Sequence, residues 1–191
     1  DTVCIGDTTN FTNTSLGSAI SWIWDFGDAN TDTLQNTIHY YNSPGFYNVE
    51  LTVTDTNGCV DSLTLPVEVY LLDVADFSTD TVCFGNSTQF TDMSNDTIIN
   101  WYWDFDYDGT IDDNTMNPTY QYQDSTTNTF LVQLIITNQQ NCNDTIIDTV
   151  SIYPLPVADF NNTTVCLNDP TIFTDLSTDS LGNVAGGSWN F

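Results

Sequence analysis

The sequence predicts an all-β protein of tandem antiparallel β-sandwiches with about seven strands each. Three observations predict this fold: a repeat of about eighty residues, short segments in which apolar and polar residues alternate, and the lack of helical periodicity. Alternation places every second side chain on one face of a strand, and two such faces bury a core when they pack together. Apolar residues form 40% of the chain, which is enough for such cores.

Three similar segments mark the repeats. They read DTVCIGDTTNFTNTS from residue 1, DTVCFGNSTQFTDMS from residue 80 and TTVCLNDPTIFTDLS from residue 163. Each is followed by an aromatic segment, which reads WIWDF, WYWDF and SWNF in turn. We therefore expect the chain to be part of a longer array.

The repeat predicts three domains. Residues 1–72 are expected to form a sandwich that lacks its first strand, residues 73–155 a sandwich with an acidic loop, and residues 156–191 the N-terminal part of a third. The connecting segments are short and contain alternating apolar residues, and the second one contains two prolines that favour an extended path.

Two strands in each repeat have a clear period of two. The first carries large rings on one face: Trp22, Trp24 and Phe26 in one copy, and Trp101, Trp103 and Phe105 in the next. The second carries Tyr47, Val49, Leu51 and Val53, matched by Phe130, Val132, Leu134 and Ile136. We expect these faces to form the sandwich cores.

These residues resemble a known family. The segments WDFGD (24–28), NTIHYY (36–41) and PGFYNVELTVTDTNGC (44–59) are similar to the polycystic-kidney-disease (PKD) domain, an immunoglobulin-like sandwich of extracellular proteins. In the second copy Tyr120 replaces His39. The connecting segments YLLDVADF and YPLPVADF resemble the joints in large secreted surface proteins of the Bacteroidetes, including adhesion proteins. The resemblance implies a non-enzymatic spacer or fibre-forming segment of an extracellular adhesin or surface filament.

Charge limits the partners. The chain has 26 acidic residues, no Lys or Arg, and a formal net charge of −26. Nucleic acids and anionic membranes are bound through Lys and Arg, so neither is expected. Direct membrane insertion is not expected either, because no apolar run is long enough. We expect a secreted or cell-surface protein whose partners are neighbouring repeats, other copies in a fibre, and surface glycans or other cells.

An acidic loop in the second repeat, WDFDYDGTIDD, predicts a calcium site. Its D-x-D-x-D-G spacing matches the first half of an EF-hand calcium loop, although Thr115 stands where a bidentate Glu is expected. Carboxylates at this spacing can converge on one hard cation, and the alternative is a solvated acidic hairpin. The candidate ligands are Asp104, Asp106, Asp108, Thr110, Asp112 and Asp113.

The five cysteines recur at the same relative places. Cys4 and Cys59 share the first repeat, and Cys83 and Cys142 share the second. This predicts the disulfides Cys4–Cys59 and Cys83–Cys142, with Cys166 unpaired, and an oxidising compartment. The alternative is free buried cysteines.

Asp followed by Ser or Thr and an aliphatic residue occurs eight times. The triplet is similar to the O-glycosylation motif of secreted Bacteroidetes proteins, and simple repetition is the alternative. The candidate hydroxyls are Thr2, Thr33, Ser62, Thr81, Thr97, Thr145, Thr149 and Ser180.

No catalytic residue is predicted. His39 occupies a position that is structural in the family, and neighbouring carboxylates on one turn cannot flank a glycosidic bond. Two alternatives remain: an accessory domain of a secreted hydrolase, and a carbohydrate-binding module that uses Tyr102, Tyr107 or Tyr122. Solvent exposure of Trp22 and Trp101 would favour the latter.

Overall fold

The computed structural model describes residues 3–95, 98–124, 128–179, 182 and 184–190. Every helix or strand assigned among them is a β-strand, which confirms the all-β prediction. A search of the same residues finds no helix with the length and hydropathy of a membrane span. The chain divides into two compact units: residues 1–76, 94–101 and 135–146, and residues 77–93, 102–134 and 147–191.

The first repeat contributes seven strands in two sheets. Their order is β1-β7-β6-β3-β4 in the larger sheet and β2-β5 in the smaller one. The strands are β1 (Val3–Cys4), β2 (Thr9–Phe11), β3 (Ala19–Asp25), β4 (Thr31–Asp32), β5 (Thr37–His39), β6 (Gly45–Asp55) and β7 (Val60–Tyr70). The short β1 runs parallel to the end of β7, and the other pairs are antiparallel.

The core of the first repeat lies between these two sheets. Phe11 of β2 packs on Trp24 and Phe26, with ring centroids 5.7 and 5.3 Å apart. Trp24 and Phe26 are buried, as the alternation in β3 predicts. Gly27 then turns the chain with φ +79°, where a Cβ would lie 2.8 Å from the carbonyl oxygen of Asn48. Only glycine fits this close approach without strain.

The second repeat also contributes seven strands in two sheets. Their order is β12-β10-β8 in one sheet and β11-β13-β14-β9 in the other. The strands are β8 (Phe77–Thr79), β9 (Val82–Cys83), β10 (Thr88–Asp92), β11 (Ile98–Asp104), β12 (Thr119–Tyr120), β13 (Thr129–Asn138) and β14 (Asn143–Tyr153). The prediction of immunoglobulin-like sandwiches with about seven strands is confirmed.

The second core repeats the chemistry of the first. Phe90 of β10 has no exposed surface and packs against Trp103 and Phe105, with centroids 5.4 and 4.6 Å apart. Val132, Leu134 and Ile136 alternate toward the interior of β13. The predicted core faces are therefore confirmed at these positions, whereas Trp101 and Phe130 at the ends of the two patterns are only partly buried.

The third repeat is represented by two short strands, β15 (Phe160–Asn162) and β16 (Phe173–Asp175), which pair antiparallel. Phe160 lies 5.4 Å from Trp189 between ring centroids. The predicted domain limits at residues 72 and 155 both lie in segments without strand structure. As domain limits they remain predictions, since the two compact units divide the chain differently.

The cysteine pairing differs from the prediction. The structure joins Cys4 to Cys142, with 5.7 Å between their Cα atoms, and leaves Cys59, Cys83 and Cys166 as exposed thiols. The predicted pairs Cys4–Cys59 and Cys83–Cys142 are therefore wrong.

Strand length explains the difference. Cys4 lies beside Tyr70 at the end of β7, whereas Cys59 immediately precedes the first residue of that 11-residue strand. A strand of this length spans about 33 Å, and a disulfide needs Cα atoms within about 7 Å. The same argument separates Cys83, which pairs with Tyr153, from Cys142 at the other end of β14.

Candidate functional site

The candidate site is the acidic loop that follows β11. The backbone closes it on a core residue: the N–H of Trp103 donates to the carbonyl oxygen of Asp113 at 2.8 Å, and the N–H of Asp112 donates to the carbonyl oxygen of Trp103 at 2.7 Å. The indole N–H of Trp103 donates to the carbonyl oxygen of Thr115 at 3.0 Å. The loop is therefore held at both ends by a buried tryptophan.

Three of the predicted ligands converge. Asp104, Asp106 and Asp108 each offer a carboxylate oxygen, and these oxygens lie within 4.8 Å of one another. Ligands on opposite sides of a calcium ion lie about 5 Å apart, because each Ca–O distance is about 2.4 Å. The three oxygens can thus reach one ion without rearrangement of the backbone.

Asp104 fixes the shape of the loop. Its side chain has no exposed surface, and its carboxylate accepts hydrogen bonds from the N–H groups of Asp108 at 3.2 Å and Gly109 at 2.8 Å. Gly109 has φ +88°, which suits glycine and lets the chain turn back over Asp104. Each carboxylate oxygen retains a lone pair, so these bonds leave Asp104 able to bind a cation.

Asp106 is exposed and lies in a strongly negative environment. Partial desolvation, and then the charges of Asp108, Asp112 and Asp104, raise its pKa above the ordinary value of 3.8. No lysine or arginine exists in the chain to offset this repulsion. A divalent cation would offset it directly.

The carboxylates of Asp112 and Asp113 do not belong to the three-residue group. Asp112 accepts a hydrogen bond from the N–H of Phe105 at 2.8 Å. Asp113 accepts two from Thr115, both at 2.7 Å; desolvation opposes them, but together they lower the pKa of Asp113. Thr110 donates its N–H to Asp108 at 2.7 Å, which supports the turn.

The equivalent loop of the first repeat uses its carboxylates differently. Asp28 accepts hydrogen bonds from Asn30 and contacts Nε2 of His39 at 2.8 Å. Desolvation acts against these bonds, yet the pKa of Asp28 is lowered overall. His39 stacks on Phe26 with centroids 4.0 Å apart, which agrees with the structural role predicted for it. In the second repeat Tyr120 stacks on Phe105 in the same way, at 4.4 Å.

The aromatic side chains give little support to a sugar-binding surface. Tyr122 has only 4% of its surface exposed, so the prediction that it could stack on a sugar is wrong. Tyr107 is exposed, but Tyr102, Trp22 and Trp101 are partly buried. The tryptophans therefore do not form the exposed row that carbohydrate binding would require.

The predicted glycosylation positions are accessible where they are described. Thr2, Thr97 and Ser180 lie outside the described residues. The remaining five hydroxyl residues are all exposed: Thr33, Ser62, Thr81, Thr145 and Thr149.

Sequence reasoning missed the residues that hold the segments between repeats, 71–76 and 154–159, here called the first and second joints. In the first joint, Ala75 donates its N–H to Asp144 at 2.8 Å, and Asp76 donates to Oγ of Ser94 at 3.2 Å. In the second, Asp159 donates to Oγ of Ser177 at 3.1 Å. A signal was present, because a serine ends the motif segment in all three copies.

Comparisons with known proteins match this fold. A family model described as PKD domain matches residues 1–70. Collagenase ColA of Bacillus cereus is 47% identical over 47 residues, which are 25% of this chain and 5% of that protein. The microbial collagenase of Vibrio alginolyticus is 41% identical over 56 residues, 29% of this chain and 7% of that protein. The match thus spans less than a tenth of each collagenase.

Two solved structures are also similar. The PKD1 domain of the Vibrio cholerae metalloprotease PrtV is 25% identical and covers 42% of this chain and 96% of its own, with a TM-score of 0.36. The fibronectin(III)-like modules of Clostridium thermocellum CbhA are 16% identical and cover 81% of this chain and 88% of their own, with a TM-score of 0.47. In the family match, the β-sandwich and the WDFGD segment, residues 1–70 are similar to a PKD domain.

Proposed function

We propose that this chain is a non-enzymatic segment of a long extracellular protein, an adhesin or surface filament, in which PKD-like repeats act as spacers or build a fibre. The observation that carries the proposal is the Cys4–Cys142 disulfide, because it joins the first sequence repeat to the second. A bond of this kind serves to hold successive modules together, and it forms in oxidising compartments.

The joints support the same function. Ser94 Oγ accepts from the N–H of Asp76 and donates to its carbonyl oxygen at 3.3 Å, and Ser177 makes the same pair of bonds with Asp159. In both joints the last residue is bonded in the same way to the repeat that follows, as expected for a periodic array of similar repeats. Contacts of this kind also restrict the backbone that a flexible linker would leave mobile.

The acidic surface suits such an array outside the cell. With a charge of −26 and no cationic side chain except a protonated His39, copies of the chain repel one another in solution. The chain also offers no Lys or Arg to trypsin-like proteases. A secreted filament benefits from both properties.

Electron microscopy of the native full-length protein tests the proposal. We expect long, thin particles with a periodicity set by the repeat. A compact particle that contains a catalytic domain would contradict it. For the chain itself, X-ray scattering should show a broader distribution of dimensions in Cys142→Ser than in Cys59→Ser, which removes an exposed thiol outside the disulfide.

A second candidate function is favoured by the similarity to collagenase segments: an accessory domain of a secreted hydrolase. Such a domain would bring a separate catalytic domain to an insoluble substrate. Co-sedimentation of the 191-residue chain with collagen fibrils is the direct measurement. Saturable binding would support this candidate over the spacer, and recovery of all the chain in the supernatant would remove it.

We also propose that Asp104, Asp106 and Asp108 bind Ca²⁺ in the second repeat. The convergence of their oxygens within 4.8 Å supports the site, and the raised pKa of Asp106 reflects repulsion that a cation would relieve. Titration calorimetry with CaCl₂ should give a single site in the wild type and in Asp61→Asn, an exposed carboxylate in another part of the chain. Loss of that heat in Asp106→Asn is expected, and a wild type without heat would refute the site.

Glycan attachment at the exposed hydroxyls is a further proposal of the same extracellular setting. Intact-mass measurement of native material should show added hexose or deoxyhexose units. Peptide mapping should place them at residues such as Thr33, Ser62 or Thr149, which are exposed. Unmodified masses at every candidate would end this proposal.

A further inference from the structure

The five cysteines fall into two structural classes. The first class, here called the TVC cysteines, follows Thr-Val in each motif segment and consists of Cys4, Cys83 and Cys166. In each, the carbonyl oxygen accepts a hydrogen bond from the N–H three residues later, at 3.0, 3.1 and 3.0 Å respectively. Cys4 and Cys83 also pair with the last residue of the final strand of their repeats. The three are therefore equivalent positions.

The second class, the hairpin cysteines, consists of Cys59 and Cys142. Cys59 donates its N–H to Oδ1 of Asp55 at 2.8 Å and accepts from the N–H of Asp55 at 3.0 Å. Cys142 makes the same two contacts with Asn138, at 2.9 and 3.0 Å. Each hairpin cysteine thus immediately precedes the final strand of its repeat, at the end opposite the TVC cysteine.

The observed disulfide joins one member of each class from successive repeats. Cys4 is the TVC cysteine of the first repeat and Cys142 is the hairpin cysteine of the second. The first joint explains why Cys4 and Cys142 lie close together. Strand β7 ends beside Cys4, and the chain then continues to Ala75. The N–H of Ala75 donates to Asp144, which is two residues after Cys142. The hairpin of the second repeat is thereby held next to the end of the first.

We propose that this stagger is the rule of the array: each TVC cysteine bonds to the hairpin cysteine of the repeat that follows it. Cys83 then pairs with the hairpin cysteine of the third repeat, and Cys59 with the TVC cysteine of a repeat before the first. The inference rests on the proposed array function. It accounts for the exposure of Cys59 and Cys83, whereas the bonded Cys4 and Cys142 are buried at 5% and 3% exposure.

The second joint supports this continuation. Its Asp159–Ser177 hydrogen bonds repeat those of Asp76 and Ser94, so the third repeat begins with the same local structure as the second. Under the proposed stagger, the hairpin of the third repeat lies beside Cys83, as Cys142 lies beside Cys4. No such placement brings Cys83 to a hairpin cysteine of its own repeat, because β14 separates the two positions.

The bond requires a disulfide oxidant of the extracytoplasmic compartment. One cysteine thiolate attacks a sulfur of the oxidant and displaces its first thiol, and the second cysteine thiolate then displaces the other. Two cysteine thiols lose two protons and two electrons in total. The oxidant gains both and becomes two thiols, and one new S–S bond joins the repeats.

The test completes the third repeat within the existing chain. A copy of residues 27–72 is added after Phe191, which aligns with Phe26, so that the added segment supplies a hairpin cysteine copied from Cys59. The chain is secreted into an oxidising compartment, free thiols are alkylated, and unreduced peptides are mapped by mass spectrometry. We expect two disulfides, Cys4–Cys142 and Cys83 to the copied cysteine, while Cys59 and Cys166 are alkylated.

Two substitutions make the result specific. Cys83→Ser should leave the copied cysteine alkylated, whereas Cys59→Ser should leave both disulfides in place. A bond between the copied cysteine and Cys166, or alkylation of both Cys83 and the copy, would overturn the stagger. Disulfide mapping of the native full-length protein gives the same decision without an added segment. A compact particle in electron microscopy would refute the spacer function, whereas only these maps decide the pairing rule.

Discussion

Asp104 and Asp106 lie two residues apart in one loop and meet opposite surroundings. Asp104 is buried and receives two backbone N–H groups, whereas Asp106 is exposed and faces three other carboxylates. Asp104 therefore fixes the conformation of the loop, whereas Asp106 is repelled by the neighbouring carboxylates. A bound cation and a neutral substitution at Asp106 should therefore both relieve this repulsion and stabilise the chain.

We predict that Asp106→Asn raises the melting temperature of the metal-free chain at pH 7, because it removes the charge that Asp108, Asp112 and Asp104 repel. The variant should gain less stability from millimolar CaCl₂ than the wild type. Thermal unfolding with EDTA and with calcium measures both effects. Asp61→Asn changes the net charge equally outside the loop, and an equal effect of both variants would contradict the prediction.

The stability difference between Asp106→Asn and the wild type should depend on pH, because the pKa of Asp106 is raised in the folded state. A carboxyl group whose pKa is higher in the folded state binds more protons there than in the unfolded state. Its contribution to stability therefore falls as pH rises from the ordinary value of 3.8 through the raised value. The advantage of Asp106→Asn should grow over this interval and then remain constant toward neutral pH.

The pKa of Asp28 is shifted in the direction opposite to that of Asp106. Desolvation raises its pKa, but the hydrogen bonds from His39 and Asn30 outweigh it, so the pKa is lowered. Its stabilising contribution is present above the ordinary value of 3.8 and is lost as pH falls through the lowered value. We predict that Asp28→Asn costs about 1 kcal/mol at pH 7. The difference from the wild type should shrink in acid, as urea unfolding at a series of pH values would measure; a constant difference would argue against this assignment.

At the scale of elements, the cores follow from alternation. Trp24 with Phe26 and Trp103 with Phe105 could be assigned to buried faces, because large rings at every second position leave one face of a strand unsuited to water. Short edge elements such as β4 and β12 could not be assigned, since two residues carry no periodic pattern.

We predict that Phe90→Ala in β10 costs about 3–5 kcal/mol, because it leaves a cavity between Trp103 and Phe105 in a fully buried position. Phe46→Ala is the matched control, since 78% of Phe46 is exposed. Its cost should stay below about 0.5 kcal/mol. Urea unfolding monitored by circular dichroism compares the two, and similar costs would show that β10 does not close the core.

The disulfide marks the limit of prediction from spacing. Cys4 and Cys59 recur at matching places in each repeat, but spacing alone does not say which strand ends meet. The deciding fact is that β1 lies parallel to the end of β7, which depends on contacts far apart in sequence. The acidic loop was easier to predict from the sequence, since Asp104, Asp106 and Asp108 are close in sequence and their spacing itself brings their carboxylates together.

At the scale of the whole molecule, charge is the dominant property. A net charge of −26 without lysine or arginine leaves carboxylates to be satisfied by backbone N–H groups, hydroxyls and His39. The contacts of Asp32, Asp55 and Asp175 follow this pattern, and each has a lowered pKa. The fold therefore depends on turns in which a carboxylate accepts from nearby backbone groups.

The Cys4–Cys142 bond determines how far the chain can be stretched. The two cysteines are 138 positions apart, and a force applied at the ends would pass through the bond without loading the residues that it encloses. Reduction would release about 480 Å of contour length, at roughly 3.5 Å per residue. We predict that optical tweezers detect this added extension only with a reductant present; a Cys142→Ser chain should show it without one. In a staggered array such loops overlap, so the redox state of the surroundings would set the reach of the filament.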